Sequence, residues 1–450
     1  MRTSLSILGI SANERGQKIM RVAGKWTSVL LASTLVIVTA CTNESSSGAG
    51  TNKDGKAESP SAAPAASGQK VKIEYFQMKS EMVDVVNELI KDFQTKNPNI
   101  TVEQNNVPNP ENVWTMRVST DDAPAAFTHF PHNAVFQQLS KEGRVVDLTG
   151  GPLMANVSPA LADLSKIDGK NYLVPIAVAT LGVYYNIDMF NEMGLQIPKT
   201  YDELLATADK IKAAGKTPFY FHDKDWNGIR QEVVSRMGLQ IPDVQNFLDS
   251  VMKGKAHITD NAEFKPFAEK LYNLRKYSQK DALGTGYDDA LREFANGKSA
   301  MWYTGIWAIQ PIKKSNPNLK FSMFPMPAAT ADNTKVQVSV DTAIGIPAKG
   351  KNQPEAKKFI EYMSSKEVVQ KYVDLSGYPA AINGVTNNNK EITSLSSLIT
   401  AGKVYPTIER VWPPGVNGDV GKATQEMFAT GDIDGYLKAL DKIFYNKLNQ

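Results

Sequence analysis

Few residues of this chain stand in arrangements that support covalent chemistry. Carboxylates cluster at Asp288-Asp289 and at Asp223-Lys224-Asp225, the residue type a secreted glycoside hydrolase uses as acid and base. Adjacent residues on a strand point to opposite faces, and nothing in the spacing marks two carboxyl groups facing each other across the ~5 to 9.5 Å that such hydrolysis requires. No Gly-x-Ser-x-Gly elbow, His-Glu-x-x-His pair or phosphate-binding glycine loop appears. His129 and His132 stand three residues apart in a proline-containing loop without a third ligand nearby, so neither a metal nor a cofactor is expected. The chain has one cysteine, Cys41, which excludes an internal disulfide and a thiolate zinc site. What it does have is aromatic rings beside polar groups. Phe219-Tyr220-Phe221-His222-Asp223-Lys224-Asp225-Trp226 runs from a strand pattern into a polar loop. Trp302-Tyr303 leads to Gly305-Ile306-Trp307, and Trp412 stands before Pro413-Pro414. Flat rings with hydrogen-bonding neighbours suit a neutral sugar, which presents apolar C–H faces and a rim of hydroxyls.

Such residues need a scaffold, and the chain is long enough to build one. With 450 residues, 42% of them apolar, it can bury large cores, and two domains are expected. The net charge of +3 is misleading. Residues 1–40 hold five basic residues against one acidic, so everything from Cys41 onward carries −1, and no nucleic-acid partner is expected. Val71-Lys72-Ile73-Glu74-Tyr75 alternates as a strand. Met82, Val85, Val86, Leu89, Ile90 and Phe93 share one helical face, Asn97-Pro98 stops that helix, and Ile100-Thr101-Val102 starts another strand. This βαβ opening predicts a parallel sheet flanked by helices. Further on, Tyr172 to Tyr185 is a long apolar stretch, Thr200-Tyr201-Asp202-Glu203 is a capping box, and Phe219-Tyr220-Phe221 reads as a short strand. No fixed-period repeat is visible, against a solenoid.

A set of ordered motifs resembles one family. Asp168-Gly169-Lys170-Asn171-Tyr172-Leu173-Val174-Pro175 is followed by Gly182-Val183-Tyr184-Tyr185-Asn186 and by Pro198-Lys199-Thr200-Tyr201-Asp202-Glu203-Leu204. Phe294-Ala295-Asn296-Gly297-Lys298 then leads to Gly305-Ile306-Trp307, and Ala343-Ile344-Gly345-Ile346-Pro347 precedes Pro354-Glu355-Ala356. In this order they resemble family 1 extracellular solute-binding proteins, the carbohydrate receptors of ABC importers. The resemblance implies a type II periplasmic-binding-protein-like α/β fold, two lobes joined by three chain crossings with a ligand cleft between them. Lobe one would be 71–179 and 341–387, and lobe two 180–338 and 390–450.

The resemblance also implies site residues. Trp307 falls where relatives place a stacking tryptophan, with Tyr303 on the strand leading to it, while Trp302 is expected in the core. Asp223 and Trp226 correspond to an acidic residue and an aromatic supplied by lobe two, and Trp412 to another aromatic position. From lobe one come Gln77 and Lys79 after the first strand, and His132 and Asn133 in a later loop. There Ala125 replaces the usual aspartate, and Ala177 to Thr180 lacks the acidic residue of the maltose-binding relative, so maltose specificity is not implied.

The amino terminus gives the cellular setting. Arg21 and Lys25 precede an uncharged apolar run that ends at Val38-Thr39-Ala40-Cys41, a signal peptide over residues 1–40 closing in a pattern that resembles the bacterial lipobox. The uncharged stretch from Trp26 to Asn43 is shorter than the ~20 residues of a comfortable membrane span. Cys41 is therefore the expected lipidation site. Residues 42–70, small and polar, are the expected tether. Together they imply a non-enzymatic, monomeric, lipid-anchored receptor on the outer face of the membrane, with a carbohydrate ligand and ABC permease subunits as partners. The rival readings are a co-receptor for a membrane sensor kinase and, further off, a glycoside hydrolase.

Overall fold

The computed structural model describes residues 70–449. The expected signal peptide, the lipidated Cys41 and the tether up to residue 69 lie outside the described residues. Among the described residues ten strands are formed: β1 (Val71–Phe76), β2 (Ile100–Asn105), β3 (Ala126–His129), β4 (Val174–Ala179), β5 (Leu181–Asn186), β6 (Thr217–Phe219), β7 (Ser299–Gly305), β8 (Phe321–Phe324), β9 (Val336–Gly345) and β10 (Val404–Pro406). They make two sheets. The first runs β10-β9-β3-β1-β2, with β4 also paired to β9; the second runs β6-β7-β5-β8.

The opening βαβ unit forms as its pattern requires. β1 and β2 pair in parallel from Val71 opposite Ile100 to Phe76 opposite Asn105. The helix Val83–Lys96 between them buries Val86, Leu89, Ile90 and Phe93, while Met82 ends the preceding 3-10 turn, also buried. Asn97 stops the helix as expected, its side-chain amide donating back to the Phe93 carbonyl at 2.9 Å. At Thr200 the cap forms with a changed partner. Thr200 Oγ1 accepts from the Glu203 amide at 3.2 Å, but the Glu203 carboxylate accepts from the Lys199 amide, one residue before the cap, at 2.7 Å. The strand expected at Phe219–Phe221 lies two residues earlier and ends at Phe219, where its parallel pairing with β7 stops.

The Tyr172–Tyr185 stretch divides at Thr180 into β4, in the first sheet, and β5, in the second. This short link is one passage between lobes. β9 is another: its first residues pair with β10 and with the end of β4, its last with β3. Its sequence, Val-Gln-Val-Ser-Val-Asp, alternates strictly. Val336, Val338 and Val340 are buried in the core, so Gln337, Ser339 and Asp341 turn to the opposite face. One apolar core spans the crossings, including Ile73 and Phe359 from the first sheet's side and Trp302 and Ile306 from the second's. A separate core joins the helices Trp226–Gln240, Val416–Thr430 and Ile433–Phe444.

Candidate functional site

The polar face of β9 opens into the space between the lobes. Gln337, Ser339 and Asp341 line an inner chamber of about 350 Å³, and an outer chamber of about 860 Å³ adjoins it. Glu81, Glu111, Trp226, Asn227, Gln231 and Trp307 line both, so the two form one cleft.

Each wall follows from local sequence. The helix starting at Trp226 buries Ile229, Val233 and Met237 on its inner side. Trp226, Asn227, Arg230 and Gln231, spaced at i, i+1, i+4 and i+5, therefore share the cleft side. Trp226 is 40% exposed and begins the helix, its indole free of the core. Behind it the helix Val416–Thr430 approaches so closely that a Cβ on Gly421 would overlap the Trp226 carbonyl. Trp307 sits half-buried in the single turn Ile306–Ala308 after β7, and its ring folds back over Gly305, where any Cβ would occupy the same space. Glycine thus seats both tryptophans.

On the first lobe, Lys79 precedes the turn Ser80–Met82 and is only 4% exposed. Its ammonium pairs with Asp341 of β9, lies 3.5 Å from Glu81, and stands 4.1 Å over the Tyr378 ring. Burial alone would lower its pKa; the surrounding Asp341, Tyr372 and Glu81 overcome that and hold it above the ordinary lysine value. Across the cleft Arg230 pairs with Glu409 and donates to Asn227 Oδ1 at 2.8 Å. Burial pushes the Glu409 carboxyl upward, but the Arg230 guanidinium outweighs it and leaves it below the usual range. His132, from the first lobe, comes within 3.9 Å of Glu409, and desolvation lowers its pKa, keeping it neutral. Asn133 lines the chamber but is already engaged. It caps the helix Ala134–Lys141 through the Phe136 amide at 2.8 Å and donates to Glu111 at 2.6 Å.

Several polar atoms of the inner chamber have no hydrogen-bond partner among the described residues: His132 Nδ1, Arg230 Nε, Gln337 Oε1 and Asn417 Oδ1. Buried polar atoms are normally paired, and leaving one unpaired costs about 1–3 kcal/mol.

Of the residues expected from sequence, Trp307, Trp226, Lys79, His132 and Asn133 meet in this cleft. Four are placed elsewhere. Gln77 is 1% exposed, and its side chain folds onto the Lys79 amide at 3.1 Å. Asp223, one turn before Trp226, points inward and grips Arg275 through two hydrogen bonds of 2.9 and 2.7 Å, beside Glu232 and Arg236. Tyr303 points to the far side of β7 and donates to Ser235 Oγ at 2.9 Å. Trp412, 3% exposed, meets Phe444 edge-on at 4.9 Å in the core of the C-terminal helices, where that aromatic contact draws the ring away from the cleft. Trp302 is buried, as expected.

The sequence reading missed Glu81, Glu111, Arg230, Gln231, Tyr287, Gln337 and Glu409. Two signals were present: the polar alternation of β9 and the polar face of the helix beginning at Trp226. Among the described residues no cluster of acidic residues and histidines is arranged to hold a metal, and no helix is long and apolar enough to cross a membrane.

Two lobes, a short double crossing and a polar cleft flanked by tryptophans define a ligand-binding receptor. The family profile described as bacterial extracellular solute-binding protein matches residues 79–370, and the chain belongs to that family. It is 31% identical over 384 residues to the multiple sugar-binding protein of Streptococcus mutans, covering 83% of this chain and 90% of that one. Among solved structures, the solute-binding protein RafE in complex with raffinose superimposes with a TM-score of 0.77 at 29% identity, over 84% of this chain and all of that one. The apo form of RafE from Streptococcus pneumoniae gives 0.72 at 28% identity, over 86% of this chain. The fold is thus the type II two-lobe fold expected from the motifs, and the relatives are binding proteins rather than enzymes.

Proposed function

We propose that this protein is a lipid-anchored receptor that captures an oligosaccharide between its lobes and delivers it to the permease of an ABC importer. The observation that carries the reading is the pairing of Trp226 and Trp307, which both adjoin both chambers, with an inner chamber of unpartnered donors and acceptors. Indole faces take the apolar face of a pyranose, and stranded polar atoms take its hydroxyls. The names of the relatives, a multiple sugar-binding protein and a raffinose complex, point the same way. We assign residues 71–179 and 341–387 to the first lobe and 180–338 and 390–450 to the second, so that closing about β9 and the Thr180 link encloses the sugar. Cys41 carries the lipid, the protein acts as a monomer, and the closed lobe pair is the surface the permease reads.

Calorimetric titration of the purified protein with raffinose, stachyose and shorter sugars tests this. Saturable one-to-one binding of at least one sugar, weakened by Trp226→Ala and by Trp307→Ala, is the expected result. Hydrolysis of a bound sugar by substoichiometric protein would overturn the receptor reading in favour of a hydrolase.

A further inference from the structure

We propose that this cleft selects saccharides that carry no anionic group, and that Glu81 and Glu111 are the residues that impose the choice. The inference rests on the sugar-binding reading above and deepens it. The two buried cations of the inner chamber are already neutralised, Lys79 by Asp341 and Arg230 by Glu409. Neither has a full charge left to offer a carboxylate or phosphate on a ligand. Against them stands a surplus of negative charge. Glu81 and Glu111 line both chambers, and Asp225 and Asp288 line the outer one, with exposed Lys224 as the remaining cation. Asp225 accepts only a neutral amide, the Tyr287 N–H at 2.6 Å, and Glu111 accepts from the neutral Asn133 amide. Their charges therefore stay in the cleft.

A second, independent observation concerns protons. Gln337, only 6% exposed, and Asn417 line the inner chamber, and their side-chain oxygens, Gln337 Oε1 and Asn417 Oδ1, are buried without a donor among the described residues. These two stranded atoms are acceptors, and a hydroxyl satisfies an acceptor by donating its hydrogen. An ionised carboxylate has no hydrogen to give, so it would leave the acceptors unpaired and add repulsion between lone pairs. Charge surplus and hydrogen-bond sense thus exclude the same ligands. A ligand carboxylate about 8 Å from a fixed carboxylate, at the effective dielectric of about 20 to 40 of a wet cleft, is disfavoured at least about fivefold by each one, and two in concert give more than tenfold.

Three forms of raffinose, differing only at C6 of the terminal galactose, test the proposal with the full chain: the natural hydroxyl, the carboxylate and the amine. Calorimetric titration at low and at moderate salt gives the ratio of affinities. The carboxylate form is expected to bind at least tenfold more weakly than the hydroxyl form, with the gap narrowing as salt screens it, and the amine form to bind at least as tightly as the hydroxyl form. In the double variant Glu81→Gln/Glu111→Gln, shown by its unfolding curve to be folded, the carboxylate penalty is expected to shrink to threefold or less. The ratio is the readout, whatever the variant does to either affinity alone. Equal binding of the carboxylate and hydroxyl forms by the parent chain would overturn this inference alone. An unchanged ratio in the double variant would remove Glu81 and Glu111 as its cause. Failure of all three forms to bind would overturn raffinose binding itself and this inference with it.

Discussion

Removing the Trp307 indole separates its two roles, as a platform in the cleft and as a plug between cores. The ring is half-buried, packs against the apolar core that spans the crossings and against the core of the second sheet, and shows its remaining surface to both chambers. A pyranose face laid on an indole removes roughly 60 Å² of apolar surface from water, which at about 25 cal/mol per Å² is about 1.5 kcal/mol, or roughly tenfold in Kd. Trp307→Ala should therefore weaken sugar binding by about tenfold or more. The same packing makes the ring matter to stability: a fully buried tryptophan cut to alanine costs about 3–5 kcal/mol, so a half-buried one should cost about 2 kcal/mol. Gly305→Ala is the companion variant. The backbone at Gly305, with φ of −87°, accepts any residue, so the new methyl group acts on the overlapping indole and forces it to swing. Affinity should fall about as far as in Trp307→Ala, although the indole is still present. Calorimetric titration with urea unfolding of each variant measures both effects. A Kd within twofold of the parent in both variants would refute the stacking argument, whatever happened to stability.

Burial holds His129, His132 and His222 neutral in the folded chain, His129 with a pKa of about 3, whereas in the unfolded chain they protonate near 6.5. Their contribution to stability is complete above about pH 6.5 and falls as the pH drops towards the folded values; the urea midpoint should decline from pH 7 to pH 5, and a flat or rising midpoint would contradict this. Asp223→Asn should cost about 3 kcal/mol by leaving Arg275 short of a buried partner, and Trp412→Ala a similar amount by opening a core cavity. Both variants should bind sugar within about threefold of the parent where folded, and a large loss of affinity with unchanged stability would put these side chains back in the cleft. Cys41→Ser should move the protein from the membrane pellet to the soluble fraction, and retention in the pellet would contradict lipid anchoring.

The opening strands and the first helix were legible because each shows a period its partner face enforces: two in Val71–Tyr75, helical in Met82–Phe93. The cleft tryptophans were legible only through ordered motifs, since an indole beside polar residues reads alike in a cleft and in a core. Trp412 shows the difficulty. Its two following prolines fix the backbone without fixing the direction of the ring, which Phe444, 32 residues away, decides by offering an edge-on contact. Asp223 misled for a related reason. A carboxylate three residues from a cleft aromatic is hidden because Arg275, Glu232 and Arg236 build a buried charge cluster that no local pattern announces. Gln337, Ser339 and Asp341 could have been read from the alternation of β9, but their direction depends on which face of that strand meets the core.

In the proposed receptor a sugar lies between Trp226 and Trp307 with its hydroxyls on the inner chamber. A crystal structure of this protein grown with saturating raffinose would show whether it does. The expected result is a closed lobe pair with one sugar ring on an indole face and hydroxyls within hydrogen-bond distance of Gln337, Arg230 and His132. Raffinose bound away from both tryptophans, or a cleft empty of sugar at saturating concentration, would contradict it.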